Sequence, residues 1–141
     1  MKARLLAGVV AMTAATACGD DSPTAPSATS VPATTTVTFV ATVPVAGSRF
    51  YSFTVANAGT VTAMLASVAS PTTGTPLAVP VEMSIGVPAG TGCAGGQSVT
   101  TEAALGVQLT SSLAAGVYCL RLADAGLLRE PARVAARFTH P

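Results

Sequence analysis

The stretch FYSFTVANAGTVTAML, residues 50–65, decides the fold. Tyr51, Phe53 and Val55 stand two apart with Ser52 and Thr54 between them; Asn57-Ala58-Gly59 follows, and then Val61, Ala63 and Leu65 repeat the pattern. Apolar residues at a spacing of two place one greasy face on an extended strand, whereas a helix needs a spacing near 3.6. The Asn-Ala-Gly interruption has the composition of a turn. The segment therefore predicts two strands joined by a tight connection, each with one face seeking an apolar partner.

The same alternation continues outward in both directions. Val37, Phe39, Ala41 and Val43 share a face ahead of a turn at Pro44–Ser48. Pro71–Pro76 (PTTGTP) reads as a loop, followed by Leu77, Val79, Val81, Met83, Ile85 and Val87, where Pro80 points to an edge position or a bulge. Glycine crowds residues 86–96, which read as a long loop. Leu105, Val107 and Leu109 predict another strand, with Glu102–Leu105 forming a helical turn at most. Ala114-Ala115-Gly116 predicts a turn into Tyr118, Leu120 and Leu122. Beyond Asp124–Pro131, the residues Val134, Ala136 and Phe138 close the pattern, with Arg133, Arg137 and Thr139 facing the other way. Seven or eight short strands, each apolar on one face, must pair those faces across a common interior. The expectation is an all-β domain over residues 37–141, a single antiparallel, jelly-roll-like β-sandwich.

Charge is scarce: 9% of the 141 residues are charged, against 50% hydrophobic. Beyond Lys2 and Arg4 the chain has no lysine, and its five arginines against six carboxylates leave a formal charge of −1. Such a body lacks the cationic cluster that phosphate contacts require, which excludes nucleic acid as a partner.

Met1–Arg4 is a short positive segment, Leu5–Met12 an apolar one, and Ala15-Thr16-Ala17 ends in small residues before Cys18. The apolar run is too short to span a bilayer, which takes about 20 residues, and residues 1–17 read as an export signal. Ser22–Thr36 (SPTAPSATSVPATTT) holds only Ser, Thr, Pro, Ala and one Val, and reads with Cys18–Asp21 as an extended tether over 18–36. A cysteine directly behind small residues resembles the lipobox of bacterial lipoproteins, with Ala15 where that family most often has Leu. The resemblance implies that Cys18 becomes the mature N-terminus and carries a diacylglycerol on its sulfur. Acyl chains at about 0.8 kcal/mol per buried methylene hold such a protein at a membrane without a spanning segment. Asp20 and Asp21 would be the third and fourth mature residues, not the second, which by the same resemblance favours the outer membrane.

Phe50–Val55, Ala58–Ala63 and Ala115-Gly116-Val117-Tyr118-Cys119-Leu120-Arg121 together resemble the bacterial pre-peptidase C-terminal domain over about Val37–Pro141. The shared pieces are fold motifs and carry no chemistry. Some relatives bind calcium or collagen through acidic residues near the first strands; here Gly47-Ser48-Arg49 occupies that region, and no metal site is carried over.

With Cys18 assigned to lipid, Cys93 and Cys119 remain as an even pair in an exported chain, where the compartment is oxidising. Cys119 alternates with Tyr118 and Leu120, so it faces away from the core and can fasten the 86–96 segment across the outside of a sheet. Zinc fails for want of ligands: two distant cysteines, one histidine and no C-x-x-C.

Catalytic residues are equally scarce. His140 is the only histidine and next to last, expected solvated or paired with a carboxylate. Ser111 and Ser112 have no nucleophile elbow and read as strand-end polar residues. The Gly90–Gly96 run lacks the Lys-Ser/Thr ending and following helix of a phosphate loop. Arg121 with Asp124, and Arg129 with Glu130, are expected as weak surface pairs. Tyr51, Phe53, Tyr118 and Phe138 fall on inner faces, which leaves Phe50 as a candidate platform for a sugar ring. No cofactor is implied. The sequence predicts a lipid-anchored, non-catalytic module of the bacterial cell envelope that meets a protein or glycan partner; a small carbohydrate-binding module is the alternative.

Overall fold

The computed structural model describes residues 32–141; the export signal, Cys18 and the tether as far as residue 31 lie outside the described residues. Eight strands follow in order: β1 (Thr35–Val43), β2 (Ser48–Val55), β3 (Gly59–Ala69), β4 (Val81–Ala89), β5 (Gly92–Thr101), β6 (Leu109–Leu113), β7 (Gly116–Asp124) and β8 (Ala132–His140). They form two antiparallel four-stranded sheets, β1-β8-β3-β6 and β2-β7-β4-β5, packed face to face. The two interleaved orders are those of a jelly roll. The all-β sandwich expected from the alternation is the fold of the described residues.

Register turns the alternation into two faces. Along β1 and β8, Val37 pairs with Phe138, Phe39 with Ala136, Ala41 with Val134 and Val43 with Ala132 on the inner face; Thr36, Thr38 and Thr42 meet Thr139, Arg137 and Arg133 on the outer. Because side chains alternate strictly, an added residue would turn an inner face outward. β3 contains such an addition, a bulge between Leu65 and Ser67, which switches the buried set from Val61, Ala63 and Leu65 to Val68. Leu65, Met83, Leu120, Leu122, Val134 and Phe138 are sealed from solvent at the centre. Burying a side chain of this kind contributes roughly 1.5–3 kcal/mol. Phe53 and Phe138 meet there with ring centroids 4.9 Å apart.

Several local expectations are corrected. The glycine-rich 86–96 segment is the β4–β5 hairpin, not a long loop. Its glycines are needed for close approach and curvature: a Cβ on Gly86 would stand 2.5 Å from the carbonyl oxygens of Ala94 and Gly95, and Gly95 and Gly96 have φ of 69° and 92°. Val87 leaves the inner face, 51% exposed, because the register shifts after Ile85. Pro80 marks the start of β4, which lies between β7 and β5 rather than at an edge. Leu105 and Val107 are 97% and 58% exposed, and β6 begins only at Leu109. The Ala104 and Gln108 amides donate to the carbonyls of Leu65 and Ala63, so residues 105–107 have no room alongside β3 and arch outward. No helical turn forms at 102–105. β1 begins at Thr35, two residues before the expected start of the domain.

Leu65→Ala, at a sealed position, is expected to cost about 2–5 kcal/mol in chemical denaturation, and Leu105→Ala less than about 0.5 kcal/mol. Equal costs for the two would contradict the placement of the core.

Candidate functional surface

The outer face of the β2-β7-β4-β5 sheet carries most of the features that the sequence singled out. Cys93 on β5 and Cys119 on β7 form a disulfide, with their Cα atoms 5.9 Å apart. β4 lies between those two strands, and Cys119 is register partner to Gly86 of β4. The bond therefore reaches over β4 where a glycine leaves space, and folds the hairpin tip onto the outer face. Cys119 is fully buried in this way although it stands outside the core cluster.

On the same face Phe50 of β2 pairs with Arg121 of β7, which pairs in turn with Ser84 of β4. Phe50 is 38% exposed, the outward orientation that its place in the alternation required. The Arg121 guanidinium donates to Glu82 Oε1 at 3.1 Å, the one ion pair among the described residues. The expected pairing of Arg121 with Asp124 is thereby corrected: three positions apart on one strand, the two point to opposite faces. Arg129 and Glu130, both exposed, form no ion pair with each other.

Asp124 has a different task. Its Oδ2 accepts from the Ala46 amide at 2.8 Å, and its Oδ1 accepts from the amides of Gly126, Leu127 and Leu128 at 2.8–3.0 Å. The Asp124 amide donates to the Gly47 carbonyl. One carboxylate thus joins the β1–β2 turn, where Ala46 holds a φ of 54°, to the β7–β8 connection. These amide donors, Ala46 and Leu128 foremost, hold its pKa below the ordinary 3.8. The sequence signal was present in Asp-Ala-Gly-Leu-Leu at a strand end, a composition that invites a carboxylate to cap its own following amides.

His140 corrects a further expectation. It is 8% exposed, on the inner face of β8, with its ring 5.1 Å from that of Phe53 and 5.8 Å from that of Phe138. Its Nδ1 lies 3.1 Å from the Pro141 carbonyl oxygen. Ser111 and Ser112 sit within β6, opposite Val61 and Thr60, not at a strand end. Tyr51 faces inward as expected, but at the open β1/β2 side of the sandwich, where it stays 40% exposed against Phe39 and Phe138. A surface groove of about 570 Å³ lies between the second half of β3 and the 74–78 segment; Glu102 is the only ionisable side chain in its lining. Among the described residues no three His, Cys, Asp or Glu side chains converge as a metal site would require. No protein-family model and no curated protein matches the chain.

Two outcomes follow from this geometry. Removing the disulfide by paired Cys93→Ser and Cys119→Ser changes is expected to cost roughly 3–4 kcal/mol, read from denaturant midpoints, since it frees a closure of 26 residues. Asp124→Ala is expected to destabilise the domain at neutral pH. A carboxylate with a depressed folded pKa stabilises above its unfolded value and loses that contribution as pH falls through the folded value. The gap between wild type and Asp124→Ala, measured by thermal melts, should therefore narrow as the pH drops below 3.8. A gap that is constant with pH would contradict the assignment.

Proposed function

We propose that the protein is exported, held at the bacterial cell envelope by acyl chains on Cys18, and presents a non-catalytic interaction module of the pre-peptidase C-terminal type. The observation that carries this reading is the cysteine pairing. Of three cysteines, Cys93 and Cys119 bond to each other, a pairing suited to an oxidising compartment, and the remaining one stands directly behind Ala15-Thr16-Ala17. A cysteine in that position resembles the lipid acceptor of a lipobox.

The ionisable groups support a binding rather than a catalytic role. Glu82 is engaged by Arg121, Asp124 by four backbone amides, and His140 by two aromatic rings. General acid–base work needs such groups converging on one reacting atom, and these lie on separate parts of the sandwich. The carbohydrate-binding alternative draws on one observation, the exposed ring of Phe50 beside Arg121. Glycan-array binding that vanishes in Phe50→Ala would favour it over a protein partner.

Metabolic labelling with an alkyne fatty acid, followed by mass spectrometry of the membrane fraction, tests the anchor. The expected result is a mature N-terminus at acylated Cys18, with Cys18→Ser unlabelled and released from the membrane. An unmodified Cys18 in the mature protein would overturn the proposal.

A further inference from the structure

The two sheets leave four edges, and three of them are guarded. β5 is bent by Gly95 and Gly96 and tied down through Cys93. β6 has only five residues. β2 carries Arg49, whose guanidinium donates back to the Ser48 carbonyl. Short length, bends and edge charges are the devices by which sheets refuse further strands. β1 has none of them. Its nine residues, TTVTFVATV, contain no charge, proline or glycine, and its register with β8 runs without a bulge. Thr35, Thr36, Val37, Thr38, Val40, Thr42 and Val43 are β-branched, the residue type that best fits a pleated sheet.

We infer that the free edge of β1 pairs with β1 of a second copy of this chain, antiparallel and two-fold symmetric, joining two β1-β8-β3-β6 sheets into one. The edge is self-complementary about Phe39. An axis there sets Thr36 opposite Thr42 and Thr38 opposite Val40 on the outer face, and Val37 opposite Ala41 on the inner. Each residue thus meets one from the same face, and no like charges oppose. Apolar surface adjoins the edge: Val40 is 46% exposed, and Tyr51, behind Phe39, 40% exposed. An isologous contact of this kind closes at two copies.

Sedimentation velocity over a concentration series tests the pairing, using the full chain with Cys18→Ser so that no acyl group contributes. The expected result is a monomer–dimer equilibrium. Thr38→Lys with Val40→Lys places like charges across the axis twice and should weaken the dimer by at least about tenfold. Because Thr38 also faces Arg137 of β8, the monomer should melt somewhat lower but still cooperatively. Mixing that variant with Thr38→Glu/Val40→Glu should restore a dimer containing one of each. If the double variant does not fold, Val40→Lys alone, at a half-exposed site, sets its charge diagonally across the axis from its symmetry mate and should weaken the dimer less, with Val40→Glu again restoring it on mixing. A chain still monomeric at about 1 mM, or a dimer indifferent to these charges, overturns the inference.

Discussion

The structure depends on the mutual burial of two apolar sheet faces, for which the chain supplies little substitute. With 9% of its residues charged and no helix among the described residues, neither ion-pair networks nor helix packing contribute to the described fold. What remains is a dry layer in which Leu65, Val134 and Phe138 of one sheet meet Met83, Leu120 and Leu122 of the other. Every departure from strict alternation is arranged to preserve that layer. The bulge in β3 brings Val68 inward after Leu65, and the shift after Ile85 lets β4 leave the interior where the hairpin must fold back.

The periphery is then fastened by a few specific bonds. At one end Asp124 ties two connections together through backbone amides; on the outer face of one sheet the disulfide clamps a hairpin over Gly86. The disulfide restrains a hairpin whose own residues are too small or too polar to hold it by burial, whereas Asp124 fixes the backbone of a connection that also sends Leu128 into the core. The β1 edge is the contrasting case. It is unbulged, uncharged and complete in its pairing to β8, and no other strand among the described residues pairs with its far side.

Much of this was legible in the sequence, and where it was not the reasons are physical. β1, β2, β3, β7 and β8 follow from apolar residues two apart, because each has one buried and one solvated face. β5 was illegible: Gly92–Thr101 offers Val99 as its one large aliphatic side chain, and its edge position and bend require glycine where a central strand would show Val or Ile. Leu105 and Val107 misled for the opposite reason. They have strand spacing, but backbone bonds from Ala104 and Gln108 to β3 leave the residues between them no place in the sheet. The outward orientation of Cys119 and Phe50 was readable from parity alone. The partner of Arg121 was not, because it is set by strand order, which brings Glu82 of β4 alongside and turns Asp124 away.

Backbone NMR of the domain tests mutual burial most directly, through cross-strand contacts and amide protection. The account predicts contacts of Thr62 with both Thr139 and Thr110, contacts of Met83 with both Leu122 and Val99, and slow amide exchange concentrated in β3, β4, β7 and β8. Helical shifts beyond residue 37, or an unprotected β8 with no contact to β3, would contradict it.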